Sequence, residues 1–172
     1  AFNFPAAVWA WNAMIAAVCG DTVIWKPSEF TPLTAIRINE VCRSIARRRG
    51  FPALFSLLLG KGKELGVALS QDKRIPLISA TGSCAMGREV GQAVSARLGR
   101  SLLELGGNNA VIVLKDANLD LVIPSVVFGA VGTAGQRCTT TRRLFVEREI
   151  EEEVKNRLVR AYRQVRIGDP RS

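Results

Sequence analysis

Apolar residues recur along the chain in two alternating rhythms. Short runs rich in β-branched residues, such as "TVIWK" (22–26), "IPLISA" (75–80) and "AVIVL" (110–114), have the length and composition of buried strands. Between them lie longer stretches with apolar positions at helical spacing. "TPLTAIRINEVCRSIARRRG" carries Leu33, Ile36, Val41 and Ile45, opens with Thr31 as a cap and Pro32 in the first turn, and stops at Gly50. From the start, the pattern predicts a helix over 5–19 with Gly20 after its end, the strand "TVIWK", the Thr31 helix, and the strand "LFSLLLG". A helix over "KELGVALSQD", the strand 75–80, a helix over 83–98 and the strand "SLLELGG" (101–107) follow. The pattern then restarts with the strand "AVIVL", a helix over 119–131, a cysteine-bearing loop, the strand "RLFVE" (143–147) and a helix over 149–166. Such alternation is the signature of βαβ units on a parallel sheet, whose ligands gather at the carboxyl ends of the strands.

The fold class expected is therefore α/β. A parallel-sheet, Rossmann-like cofactor domain occupies residues 1–105, and the start of an α/β catalytic domain occupies 106–172, with Gly106 and Gly107 as the hinge. The run 4–18 contains Asn12, lacks a basic leader and is short for a bilayer, so it reads as a buried helix.

Composition narrows the function. The chain has 172 residues, 48% of them hydrophobic and 23% charged, enough for one core and part of another. It begins without Met at high apolar density and stops at "GDPRS" just past a helical pattern, which reads as an internal piece of a longer protein. There is no histidine, so any base must be a carboxylate or a lysine, and Cys-His or Ser-His pairs are excluded within this segment. Cys19, Cys42, Cys84 and Cys138 are irregularly spaced with no CxxC. That argues against a zinc ribbon or thioredoxin-like site, and no metal is expected. It also fits a reducing, cytoplasmic setting in which Cys19 and Cys42 are buried and inert. The net charge of +9 raises nucleic acid as a partner. The cations fall on helical stretches, however, with Glu149, Glu151, Glu152 and Glu153 close to Arg157, Arg160, Arg163 and Arg166. Solvated helix faces explain them, and a basic nucleic-acid-binding module is the remote alternative.

Chemistry-bearing residues cluster after the strands. "WKPSE" sets Lys26, Pro27, Ser28 and Glu29 beyond a strand end, where a carboxylate suits ribose hydroxyls and the bland alternative is a solvated loop. "GKGKELG" brings Gly62 and Gly66 between a strand and a helix. "TGS" offers the backbone of Thr81 and Gly82 and the hydroxyl of Ser83 to a phosphate. In "LELGG", Glu104 ends an apolar strand as either a general base or an acceptor for backbone donors, and Leu105 and Gly106 follow. In "GTAGQRCTTTRR", Cys138 follows small residues that let a substrate approach. Arg137, Arg142 and Arg143 give it a positive neighbourhood that suits a thiolate, and an inert thiol is the alternative.

The ordered motifs "FNFP", "WKPSE", "TGS", "LELGGN" and "GQRCT" resemble the aldehyde dehydrogenase superfamily over essentially the whole chain. The spacings from Asn3 to Lys26 and from Glu104 to Cys138 agree with that resemblance. The stretch "RSLLELGGNNAVIV…FGAVGTAGQRCTTTRRLFVE" is similar to its antiquitin-like branch, the α-aminoadipic semialdehyde dehydrogenases. "AFNFP" in place of "PWNFP" and "SATGS" in place of "FTGS" are departures, neither of which removes a polar group the chemistry needs. The resemblance implies NAD-dependent oxidation of an aldehyde through a thiohemiacetal and thioester on Cys138. The Asn3 amide and the Cys138 N–H would hold the oxyanion, and Glu104 would activate the hydrolytic water. It also implies that Lys26 and Glu29 hold the adenosine ribose, with Pro27 and Ser28 between them, and that Thr81, Gly82 and Ser83 meet the pyrophosphate. Gly62, Gly66, Leu105 and Gly106 complete the cofactor-binding set. Glu29 repels a 2′-phosphate, which favours NAD over NADP. Arg137 would pair with the far carboxylate of a semialdehyde, or else brace the loop. The implied partners are a small aldehyde and further copies of the chain, with no nucleic acid or membrane. A non-catalytic relative or inactive fragment is the competing reading.

Overall fold

The computed structural model describes residues 1–169; Pro170, Arg171 and Ser172 of the "GDPRS" motif lie outside the described residues. The chain divides into two compact units, Ala1–Leu105 and Gly106–Ser172.

The first unit runs α1 (Ala7–Val18), β1 (Val23–Trp25), α2 (Pro32–Arg48), β2 (Phe55–Leu57), α3 (Val67–Gln71), β3 (Leu77–Gly82), α4 (Cys84–Ala96) and β4 (Arg100–Leu105). The second runs β5 (Asn109–Val113), α5 (Leu119–Val131), β6 (Thr141–Val146) and α6 (Glu151–Tyr162). Every strand pair is parallel and joins consecutive strands, β1 with β2, β3 with β4 and β5 with β6. Among the described residues the ladders form three two-stranded sheets. This is the α/β, parallel-sheet class, with the sheet divided into separate βαβ pairs.

Local chemistry explains most boundaries. Gly20 and Gly50 follow α1 and α2 with φ of 88° and 87°, the left-handed conformation that glycine adopts without a Cβ clash. The Asn118 side chain caps α5 by accepting from the Asp120 N–H at 3.0 Å. Asn118→Ala is expected to cost about 1 kcal/mol of stability, readable as a lower denaturation midpoint with an unchanged m-value.

Several expectations are corrected. Thr31 precedes α2, but its side chain makes no capping bond and its Oγ1 is buried without a partner; Pro32 at the first helical positions starts the helix instead. The "KELGVALSQD" helix is broken. Gly62–Gly66 form a π-helical turn and only Val67–Gln71 are α-helical, since two glycines weaken the α-helix over that stretch. The final helix is shorter than 149–166, with a 3₁₀ turn over Arg148–Ile150 ahead of α6. The strand over 75–80 extends to include Thr81 and Gly82, which pair with Glu104 and Leu105.

α1 departs furthest from expectation. Ala13 is buried with Ala46 and Phe55, and Trp9 stacks on Trp25 at 4.3 Å between ring centroids. Yet Trp11 is 60% and Val18 90% exposed, so the predicted buried helix is covered on one face only. A helix apolar on all sides is covered only where it meets a partner, and among the described residues α1 is covered on the face that carries Ala13. In the second unit, Val113, Ile123 and Val154 form the core that joins β5, α5 and α6. Arg157 ties α6 to α5 by an ion pair to Asp120 and pairs within α6 with Glu153. Among the described residues no helix is long and apolar enough to cross a membrane.

Candidate active site

In the first unit, the strand-end residues hold one another's loops. The Lys26 ammonium donates to the carbonyls of Pro27 at 2.6 Å and Gly60 at 3.3 Å. Glu29 Oε2 accepts from the Gly62 N–H at 3.3 Å. Both charged groups therefore tie the loop after β1 to the glycine loop after β2. Pro27 is buried beneath them, and Ser28 turns the chain by accepting from the Phe30 N–H. Space around Gly62 is open, with nothing within 4 Å of where a Cβ would stand, and a Cβ on Gly66 would only graze Lys26 Cε at 4.0 Å.

"TGS" is less of a loop than its composition suggests. Thr81 and Gly82 belong to the β3 ladder, and Ser83 caps α4, its hydroxyl accepting from the Met86 N–H at 3.2 Å. α4 thus begins directly at the carboxyl end of β3, where the positive end of the helix dipole favours an anion. Glu104 is exposed on β4, paired in register with Thr81, while Leu105 pairs with Gly82. Asn3 lies half-buried ahead of α1.

The second unit presents Cys138 on a braced turn. The thiol is exposed, the Thr140 N–H donates to the Arg137 carbonyl at 3.2 Å, and Cys138 stands at the corner. Thr140, only 5% exposed, accepts from the Arg137 N–H through Oγ1 at 3.0 Å, so the turn is bonded twice across its base. Asn109 on β5 donates through Nδ2 to the carbonyls of Cys138 at 2.6 Å and Thr140 at 3.1 Å. Among the described residues no acceptor takes the Cys138 N–H. Upstream, Thr133 and Ala134 take left-handed backbone at φ 55° and 52°, costly for a β-branched residue. Arg137 Nε donates to Thr133 Oγ1 at 2.7 Å with its guanidinium over the Phe128 ring, which holds that conformation in place. Arg143 instead grips the Asn108 carbonyl at 2.8 and 3.1 Å.

The remaining cysteines differ from expectation in one case. Cys42 packs against the α1–α2 core, and burial pushes its thiol up, away from thiolate chemistry. Cys19, read as buried, is exposed at the end of α1, as is Cys84 at the start of α4. Sequence reasoning passed over Asn109, Thr133 and Thr140. The asparagine pair after the double glycine was the one available signal, because a side-chain amide can bridge two backbone carbonyls.

The site thus consists of an exposed cysteine on a doubly bonded turn, in an α/β chain whose other polar candidates gather at strand ends. The aldehyde dehydrogenase family model matches residues 1–172, and the chain belongs to that family. It is 48% identical over 170 residues to alpha-aminoadipic semialdehyde dehydrogenase of Bos taurus, covering 99% of this chain and 32% of the relative. To aldehyde dehydrogenase family 7 member A1 of Brassica napus it is 50% identical over 171 residues, 99% of this chain and 34% of that one. Among solved structures, lactaldehyde dehydrogenase from Escherichia coli superimposes with a TM-score of 0.93 at 33% identity, over 99% of this chain and 35% of that one. The chain thus spans about a third of the length of the curated relatives it matches.

Proposed function

We propose that this chain carries the nucleophile and part of the cofactor site of an NAD-dependent enzyme that oxidises α-aminoadipic semialdehyde to the carboxylate, working in the cytoplasm as a homo-oligomer. Residues 1–105 are the partial NAD-binding domain and 106–172 the start of the catalytic domain. The observation that carries the reading is the exposed Cys138 thiol at the corner of a turn bonded from both sides. An inert structural cysteine needs neither the exposure nor the bracing.

The donor set of the first unit fits NAD. A carboxylate and an ammonium beside an open glycine suit a ribose diol, and a capped helix N-terminus suits a pyrophosphate. Lys26, Pro27, Ser28 and Glu29 would hold the adenosine ribose, with Gly62 and Gly66 beside it. Thr81, Gly82 and Ser83 would meet the phosphates, and Leu105 and Gly106 would complete the site. Bound NAD supplies a hydride acceptor. The rest of the chemistry belongs to the chain. The Cys138 thiolate adds to the aldehyde carbon, and the oxyanion takes hydrogen bonds from the Cys138 N–H and the Asn3 amide. Glu104 then removes a proton from the water that cleaves the thioester, and the Cys138 thiolate leaves.

Arg137 has two roles to separate. Its Nε bond to Thr133 supports the brace, and recognition of the far carboxylate of the semialdehyde is the second role we assign to it. Arg137→Ala in the full-length protein is expected to raise KM for α-aminoadipic semialdehyde by roughly 1.5–3 kcal/mol, while oxidation of an uncharged aliphatic aldehyde barely changes. Steady-state NADH formation on the two substrates is the measurement. Equal losses on both would leave only the brace.

A further inference from the structure

We propose that Asn109 is a positioning residue for the nucleophile, a two-pronged clamp that sets the orientation of the Cys138 turn, and that Gly107 is the small residue that admits it. The inference rests on Cys138 acting as the nucleophile. A primary amide has two N–H bonds, and both Asn109 partners are carbonyl oxygens, so the nitrogen end must face the turn. The two acceptors flank Thr139, so one side chain fixes the peptide planes that follow Cys138 and Thr140.

The sheet is shaped to deliver that side chain. Asn109 pairs with Thr141 and Ala110 with Arg143, so Arg142 is an extra residue on β6 and the ladder bulges at this point. Bulges bend a strand and re-aim the side chains beside them. The preceding residue is fastened as well, because Arg143 holds the Asn108 carbonyl through two nitrogens. Gly107 leaves the necessary room. A Cβ there would stand 2.7 Å from Asn109 Oδ1, closer than real Cβ contacts allow, and 3.0 Å from the Cys138 carbonyl oxygen, tighter than most of them. The bulge, the two amide hydrogen bonds and the missing Cβ all act on the turn that carries the thiol.

The geometric consequence concerns the free Cys138 N–H and the thiol together. Fixing the peptides on the carboxyl side of Cys138 limits rotation of the residue, so Sγ and N–H keep a constant relation to an incoming carbonyl. Catalysis is sensitive to such placement, with misplacement by about 1 Å costing about a hundredfold.

The test uses the full-length enzyme in excess over α-aminoadipic semialdehyde, with saturating NAD, and reads the single-turnover rate constant of NADH formation beside the NAD Kd and the melting temperature. Asn109→Ala and Asn109→Asp are expected to lower that rate constant about ten- to a hundredfold with NAD affinity unchanged. The aspartate variant is expected to recover as pH falls, since a protonated carboxyl regains one donor where the carboxylate repels both carbonyls. Gly107→Ala displaces the amide without removing its donors, is expected to show the same kinetic loss, and serves if Asn109→Ala does not fold. Wild-type rate constants in the folded variants, with only the melting temperature lowered, would overturn the clamp. Full turnover by Cys138→Ala in the same assay would instead overturn the catalytic reading on which it rests.

Discussion

Replacing Cys138 with alanine is expected to lower aldehyde oxidation by the full-length protein about 10⁴-fold or more, with NAD affinity unchanged. The size follows from what is lost. Without the thiol no covalent adduct forms, so the hydride has no tetrahedral carbon to leave. Any remaining oxyanion donors stabilise nothing that reaches the product. NAD affinity stays because Lys26, Glu29 and Ser83 are bonded within their own loops and helix cap, and none of those bonds involves Cys138. Thiol labelling alone is a poor substitute for this experiment, since Cys19 and Cys84 are exposed too. The decisive measurement pairs steady-state turnover with NAD titration on the same preparation. Turnover within tenfold of wild type would remove Cys138 from the mechanism.

Glu104→Gln is expected to split the reaction. Formation of the thiohemiacetal and transfer of the hydride need no base beyond the thiolate, so a single turnover of NADH should survive at near wild-type rate. Hydrolysis of the thioester needs an activated water, and its loss should lower steady-state turnover by about 10²–10⁴-fold. In a chain without histidine the carboxylate has no obvious substitute within this segment. The exposure of Glu104 on β4 is consistent with a group that meets water, whereas a buried acceptor for backbone donors would be covered. Rapid-mixing fluorescence of NADH separates the phases. If burst and steady state fell together, Glu104 would be holding structure rather than moving a proton.

Much of this molecule was legible in the chain because its grammar is local. α5 occupies the 119–131 span that its apolar rhythm indicated, and Gly20 and Gly50 close their helices by a conformation that the residue type itself permits. The misreadings share another cause, namely partners distant in sequence. Thr31 is a good cap by type, yet its hydroxyl turned inward where nothing meets it. Nothing in "GTAGQRC" announces left-handed backbone at Thr133 and Ala134; that conformation is held by a bond from Arg137 and belongs to the folded loop alone. Asn109 was in plain view within "LELGGNN", but its importance comes from acceptors about 30 residues away, which no periodicity reveals.

The pairing of each strand with the next in sequence has a consequence for how the chain comes to be folded. Among the described residues each ladder joins strands separated by one crossover helix, and the entropy of closing such loops grows only slowly with their length. Each described βαβ pair therefore holds within itself both strands of its ladder and the helix that joins them. The β5–α5–β6 pair makes its bulge and its cysteine turn from residues it already contains, so the geometry around the thiol draws on one short stretch of chain.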